Sequence, residues 1–259
     1  MRKYMAVAAF IFVVPLLIRE QGVAARHGLY TAVLSDHVKN GYVDYRALKA
    51  DARFEKYIAE LDAADPAALP SREEKLAFWI NVYNAHTLKL IIDNHPVKSI
   101  SALHYGGSLA LATALKKTVW QTHRFTVGGK AYTLDQVEHG ILRPVFRDHR
   151  IHGAIVCAAV SCPTLRGEAY EAHRVNEQLD DQMRRFMADP SKNRYDAATG
   201  TLYLSKIFNW FEKDFTGGKK SIVEALVPYM PEAAAMAVRE RGGKVNIKYL
   251  PYDWALNGR

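Results

Sequence analysis

The stretch "SREEKLAFWINVYNAHTLKLIIDN" (residues 71–94) decides the fold, because it predicts one long helix that is buried on all sides. Ser71 and Glu74 stand three residues apart and form a capping box, the pattern that starts a helix. Pro96 requires the helix to end before it. Apolar residues occupy almost the whole circumference, which is typical of a helix enclosed by other elements.

Two amides, Asn81 and Asn84, interrupt this apolar surface, and their spacing puts them on one face of the helix. A buried amide without hydrogen-bond partners costs roughly 1–3 kcal/mol, a large fraction of the net stability of a domain. We therefore expect both amides to have fixed partners, either backbone groups of another segment or a polar site that binds substrate.

The rest of the chain predicts an α+β fold, a mostly helical single domain around a small sheet over residues 26–259. "TVGGKAYTL" predicts a hairpin, and Thr133 with Gln136 forms a second capping box before a short helix. "RIHGAIVCAA" is short, apolar and β-branched, which favours a buried strand. Further helices are predicted in "LYTAVLSDHV", "RFEKYIAELDAA", 172–188, "KIFNWFEKDF" and 221–240, and further strands in "GTLYLS" and "KVNIKYLPYDW".

Residues 1–25 have the three-part pattern of a signal peptide: two positive charges, an apolar run, and small residues at Val23 and Ala25. The apolar run is short for a membrane span. We expect an exported, periplasmic or otherwise extracytoplasmic protein. The alternative is an uncleaved segment that anchors the protein in the inner membrane.

Composition and charge narrow the function classes. With 49% hydrophobic residues the chain is globular rather than disordered. The net charge of +8 is spread without a basic stripe, so no nucleic-acid partner is predicted. We expect a small-molecule or peptide substrate and no cofactor; peripheral association with the cell envelope and the oligomeric state stay open.

Both cysteines of the chain lie in "HGAIVCAAVSCP" (residues 152–163). Pro163 suits the first position of a helix, which would place Cys162 at the helix N-terminus. The dipole and free N–H groups there favour a thiolate, so Cys162 is the candidate nucleophile. Cys157, inside the apolar run, is interpreted as a core residue.

A cysteine nucleophile needs a base, and the sequence offers two histidines for this role. His152 starts the same stretch, and His139 follows Glu138 in the preceding predicted helix. Glu138 or an amide of the central helix would orient the imidazole, following the logic of papain-like sites. Arg143, one turn after His139, is either a substrate-binding residue with the two amides or a partner of Glu138 in an ion pair.

Two other interpretations of the same residues stay open. A disulfide between Cys157 and Cys162 is the main rival, provided that a tight turn brings the two Cα atoms within about 7 Å. A metal site built from His139, His152 and Glu138 is the least favoured interpretation. The cysteines lack the spacing of a zinc site and no H-E-x-x-H motif occurs, so no metal is predicted.

Several segments together resemble the family called domain of unknown function 547, from about residue 28 to 257. The segments are "LAFWINVYNAHTL", "LDQVEHGILR", "RIHGAIVCAAVSCPTLRGEAY" and "IFNWFEKDF", with "GYVDYRALK" and "YLPYDWALN" at the two ends. The resemblance implies export in bacteria and a fold unit without a settled activity. It covers the same candidate residues, and it implies a bulkier residue than Gly153 after His152.

Two functional hypotheses result. The first is an exported hydrolase or transferase in which a cysteine nucleophile attacks an acyl or thiol-linked substrate. The second is a non-catalytic envelope domain that binds a peptide or small thiol and contains a structural Cys157–Cys162 disulfide.

Overall fold

The computed structural model describes residues 27–218 and 220–259. In this part of the chain helices dominate and the strands form small sheets, so the predicted α+β class is confirmed. The segment interpreted as a signal peptide, residues 1–25, lies outside the described residues. None of the described helices is long and apolar enough to cross a membrane.

The long helix predicted from "SREEKLAFWINVYNAHTLKLIIDN" is present as α4, Arg72–Asn94. The Ser71 hydroxyl accepts a hydrogen bond from the Glu74 amide at 3.1 Å, and the Glu74 carboxylate accepts one from the Ser71 amide at 2.9 Å. Side chains on every face of the helix are buried, so α4 is the centre around which the other elements pack.

The first part of the chain, up to residue 154, contains α4 and the elements on both sides of it in sequence. The hairpin predicted at "TVGGKAYTL" and the helix predicted after Thr133 are both present, the latter as a π-helix. The bounds up to residue 154 are α1 Gly28–His37, β1 Val38–Lys39, β2 Tyr42–Val43, α2 Tyr45–Lys49, α3 Ala52–Ala63, α4 Arg72–Asn94, α5 Leu109–Ala114, α6 Val119–Thr122, β3 Phe125–Val127, β4 Lys130–Tyr132, the π-helix Gln136–Phe146 and α7 Ile151–Ala154.

A second group of elements follows a long irregular segment. Strands β5 and β6 pair antiparallel, and β7 joins β6 in parallel, so the three-stranded sheet has the order β5-β6-β7. The bounds are α8 Val175–Ala188, β5 Arg194–Asp196, β6 Thr201–Leu204, α9 Lys206–Trp210, α10 Glu212–Thr216, α11 Ile222–Leu226, α12 Glu232–Glu240 and β7 Asn246–Tyr249.

Helix α8 joins two hydrophobic clusters. Its first turns place Val175 and Leu179 in the larger cluster around α4. Its last turns place Met183, Phe186 and Met187 in the smaller cluster around the three-stranded sheet. The two clusters therefore share one helix.

The strand predicted for "RIHGAIVCAA" is wrong: residues 151–154 form the short helix α7, and the chain then becomes extended at Ile155. Gly153 explains the close packing of this helix on α8, since a Cβ atom there would lie 2.8 Å from the Met183 sulfur. The helix predicted to start at Pro163 is also wrong, because residues 163–174 contain no helix.

The two buried amides of α4 bond the backbone of other segments. Asn84 donates to the Ala154 carbonyl and accepts from the Val156 amide, both at 3.0 Å. Asn81 forms the equivalent pair with the backbone of Tyr170, at 2.8 and 2.9 Å. The sequence left open whether these amides bond backbone groups or form a polar substrate-binding site, and the structure shows that they bond backbone groups. Through Asn84, α4 fixes the segment that leads into Cys157.

Residues 250–259 run across the protein and bond the loop between the two cysteines. The Val160 amide donates to the Ala255 carbonyl at 2.8 Å, and the Asn257 amide donates to the Ala158 carbonyl at 3.0 Å. Further along, Gly258 pairs with Val43 near the start of the chain. This tail therefore connects segments that are far apart in sequence.

We expect Asn84→Ala to lower the free energy of unfolding by about 2–4 kcal/mol, because the buried Ala154 carbonyl and Val156 amide would lose the side chain that pairs them. Urea denaturation measures the difference. Asn94→Ala is the matched control, since Asn94 is exposed at the end of the same helix and its loss should cost under about 0.5 kcal/mol. A loss below about 1 kcal/mol for Asn84→Ala would contradict this role.

Candidate functional site

A cavity of about 420 Å³ lies where the two hydrophobic clusters meet, and it is open to solvent. Junctions of this kind are common positions for small-molecule sites. Its wall is mainly apolar and rich in aromatic rings, with a few titratable groups. The lining residues that matter below are Tyr83, Trp120, Glu138, His139, His152, Cys157, Cys162, Trp210, Phe211, Tyr252 and Trp254.

The sulfurs of Cys157 and Cys162 form a disulfide in the wall of this cavity. The loop between them turns back on itself: Ala158 adopts a left-handed conformation with φ of 60°, and the Cys162 amide donates to the Ala159 carbonyl at 3.0 Å. The turn brings the two Cα atoms to 6.2 Å, within the usual range of a disulfide. Both cysteines therefore belong to the same site.

The Tyr252 hydroxyl lies next to both sulfurs. Its oxygen is 3.1 Å from the Cys162 sulfur and 3.2 Å from the Cys157 sulfur. The Cys157 amide also donates to the Cys162 sulfur, at 3.0 Å. Burial raises the pKa of Tyr252, so the phenol keeps its proton and remains a donor. Two hydrogen-bond donors thus converge on Cys162.

A second group of polar side chains is organised by Asp214 of α10. The His152 Nε2 lies 2.8 Å from one carboxylate oxygen of Asp214, and Arg143 donates to both oxygens at 2.6 and 3.0 Å. These hydrogen bonds, first that from His152 and then that from Arg143, hold the pKa of Asp214 well below its usual range. Phe211 stacks on the His152 ring, with the centroids 4.0 Å apart.

The ionised Asp214 decides the tautomer of His152. A carboxylate only accepts hydrogen bonds, so Nε2 carries the proton that points to Asp214. Burial lowers the pKa of His152, against the opposing effect of Asp214, and this favours the neutral ring. Nδ1 is therefore the unprotonated nitrogen, which is the arrangement of a general base oriented by a carboxylate.

His139 has a different environment and is more exposed than His152. Arg143 donates to its Nδ1 at 2.8 Å, so Nδ1 is the acceptor in this histidine. Its Nε2 lies 3.8 Å from the Asp135 carboxylate. Since both nitrogens have charged neighbours, His139 is held as part of the network rather than left free to accept a proton.

Glu138 lies in the cavity wall, one residue before His139 on the π-helix, and receives a hydrogen bond from the Tyr83 hydroxyl at 3.3 Å. Burial raises the pKa of Glu138 to about 7, although the charge of Arg143 and the Tyr83 hydrogen bond oppose the shift. A carboxyl group with this pKa can both give and take a proton near neutral pH.

The structure brings most of the predicted candidates together. Glu138, His139, His152 and both cysteines line one cavity. Arg143 binds Asp214 and His139 rather than forming the ion pair with Glu138 that the sequence offered. Asn81 and Asn84 are not among the lining residues of the cavity, because their side chains are occupied by backbone groups of other segments.

The nucleophile–base contact expected for a thiol site is absent from the hydrogen bonds of the described residues. The Cys162 sulfur contacts the Cys157 amide and Tyr252, while His152 contacts Asp214 and His139 contacts Arg143. In the same part of the chain, no cluster of three His, Cys, Asp or Glu side chains is arranged to hold a metal ion.

Sequence reasoning missed Asp214, Phe211 and Tyr252 as members of the site. Their positions lie in "IFNWFEKDF" and "YLPYDWALN", two of the segments on which the family resemblance was based. A carboxylate and several aromatic residues in segments already marked by that resemblance were the available signal. The contacts could not be inferred from spacing, because Asp214 lies 62 residues after His152 and Tyr252 lies 90 residues after Cys162.

The fold and cavity define an α+β protein with a disulfide, an oriented histidine and a near-neutral carboxyl group in one aromatic cavity. Residues 67–187 match the family model described as "Protein of unknown function, DUF547", so the predicted resemblance to this family is confirmed over these residues. The match includes α4, the π-helix and both cysteines; the wider resemblance over 28–257 stays a prediction at its two ends. Searches of curated proteins and of solved structures gave no match.

The raised pKa of Glu138 makes stability depend on pH in a defined direction. The folded protein binds the proton more tightly than the unfolded chain, so stability falls as pH rises from about 4.5 to about 7. Glu138→Gln removes this ionisation. As pH rises from about 4.5 to about 8, we expect the free energy of unfolding of the variant to increase by roughly 2 kcal/mol relative to that of the native protein.

Urea denaturation at the two pH values measures the gain. Glu240→Gln, at an exposed position at the end of α12, is the control and should show the pH dependence of the native protein. An equal pH dependence for Glu138→Gln and the native protein would refute the raised pKa.

Proposed function

We propose that the protein is an exported hydrolase or transferase in which the reduced form of the cysteine pair supplies the nucleophile. The observation that supports this proposal is the shared cavity: both cysteines, His152 and Glu138 line the same wall, and Asp214 contacts His152 at 2.8 Å. Nucleophile, base and orienting carboxylate are the three groups that covalent catalysis requires.

Cys162 is the nucleophile in this proposal. The Cys157 amide and the Tyr252 hydroxyl both point to its sulfur, and such donors stabilise a thiolate more than a thiol. These donors take the place of the helix N-terminus that the sequence predicted. Reduction of the disulfide is required first, because a bonded sulfur cannot attack.

His152 is the base, and Asp214 orients it. Its Nδ1 is the free nitrogen, and burial keeps the ring neutral until it accepts the thiol proton. Glu138 lines the same cavity and has a pKa near neutral, so it is the group that would protonate a leaving group. The substrate is a small acyl or thiol-linked compound, in keeping with a cavity of about 420 Å³ and a largely apolar wall.

Alkylation of the reduced protein tests the nucleophile. We expect iodoacetamide to label Cys162 about tenfold faster than it labels glutathione at about pH 6.5, because the two hydrogen-bond donors at its sulfur favour the thiolate. Peptide mapping by mass spectrometry identifies the labelled residue. Labelling of Cys162 no faster than glutathione would refute the proposal.

Two histidine variants test the base. His152→Gln removes Nδ1 and should slow the labelling several-fold near pH 6.5. His149→Gln is the matched control, because His149 is half-buried, bonds Tyr229 at 3.2 Å and does not line the cavity. Equal slowing by both variants would indicate a general structural effect and contradict the assignment of His152.

A second candidate is a non-catalytic envelope domain that binds a peptide or small thiol. The bonded state of the two sulfurs and the aromatic wall favour it. Under this function the disulfide stabilises the fold by about 2 kcal/mol through its short loop. The reduced protein would then be less stable but show no enhanced reactivity at Cys162, which separates the two candidates in the same alkylation experiment.

A further inference from the structure

The disulfide is accessible to a small molecule in its oxidised form. Both sulfurs line the open cavity, and the two cysteines differ in exposure: Cys162 is 4% exposed, whereas Cys157 is partly exposed. Cys157 is therefore the more exposed of the two cysteines, and we expect an entering thiol to approach the disulfide at this residue.

The hydrogen bonds are distributed so that Cys162 is the better leaving group. Its sulfur has two donors, the Cys157 amide at 3.0 Å and the Tyr252 hydroxyl at 3.1 Å. The Cys157 sulfur has the Tyr252 hydroxyl as its neighbour, at 3.2 Å. A thiolate that is stabilised by donors leaves faster in thiol–disulfide exchange, so attack at Cys157 with departure of Cys162 is the favoured course.

We propose that the protein carries out thiol–disulfide exchange, with the Cys157–Cys162 pair as the redox-active group and small dithiols as reductants. This activity goes beyond the proposed function and does not depend on it, because it starts from the oxidised pair and uses no histidine.

The step balances in atoms and electrons. One thiolate of the dithiol attacks the Cys157 sulfur, a mixed disulfide forms, and the Cys157–Cys162 bond breaks with its electron pair on Cys162. The second thiolate of the dithiol attacks its own sulfur in the mixed disulfide and releases Cys157. Two electrons and two protons pass from the dithiol to the cysteine pair. A small-molecule or peptide disulfide reoxidises the pair by the reverse sequence.

The aromatic rings at the cavity indicate the kind of thiol. Trp210, Tyr252 and Trp254 are packed together, with the Tyr252 and Trp254 centroids 4.4 Å apart and the Tyr252 and Trp210 centroids 4.9 Å apart. Trp210 is 47% exposed, so an aromatic surface continues from the sulfurs towards solvent. A thiol with an apolar or planar body fits this wall better than a highly charged one.

Reduction of the oxidised, full-length protein by dithiothreitol tests the proposal. Acid quenching, alkylation and mass spectrometry give the rate at which the pair is reduced. We expect Tyr252→Phe to slow this reduction about tenfold, since the variant keeps the ring but loses one donor to the leaving sulfur. Tyr229→Phe is the control, because its half-buried hydroxyl bonds His149 away from the disulfide; it should reduce at the native rate.

Glutathione, a monothiol, tests the position of attack. After brief reaction and acid quenching, peptide mapping should find glutathione on Cys157 rather than on Cys162. Glutathione on Cys162, reduction only under conditions that unfold the protein, or a native rate for Tyr252→Phe would each overturn the proposal. Alkylation of reduced Cys162 is a separate measurement. Slow alkylation would refute the nucleophile proposal without affecting the exchange proposal, and slow reduction would refute the exchange proposal without affecting the nucleophile proposal.

Discussion

The two side-chain amides of α4 are the constraint on which the rest of the structure depends. Asn84 holds the backbone on both sides of Ile155, and Asn81 holds Tyr170, so the central helix fixes the segments before and after the cysteine loop. Each amide supplies the hydrogen bonds that the backbone of an irregular buried segment would otherwise lack. A polar residue in the middle of an apolar helix thus allows a non-repetitive chain to cross the core and present its sulfurs to a cavity.

The fold was predictable where local rules decide it. The capping box at Ser71 and Glu74 gave the start of α4, and its continuous apolar surface gave its central place. Residues 151–157 were not predictable, since a short apolar run with β-branched residues fits a strand and a buried turn of helix equally well. The choice is made by tertiary contacts, among them the space that Gly153 leaves for Met183.

Only those residues of the candidate site that lie close to the cysteines in sequence were predictable. Glu138, His139 and His152 were found because they are polar residues in apolar surroundings close to Cys157 and Cys162 in sequence. Asp214 and Tyr252 were missed because their roles arise from contacts across 62 and 90 residues, and no spacing rule reaches so far. The reason given for Cys162 was also wrong: side-chain and loop donors, rather than a helix end, surround its sulfur.

The docking of residues 250–259 has a consequence for the order in which the molecule is built. This tail closes contacts with a loop some 90 residues earlier, and contacts of such sequence separation form late because they must overcome the entropy of closing a long loop. As the chain emerges from N-terminus to C-terminus, both cysteines are present long before Tyr252. The sulfurs can therefore pair before the tail has docked, and the later docking brings the Tyr252 hydroxyl to both of them.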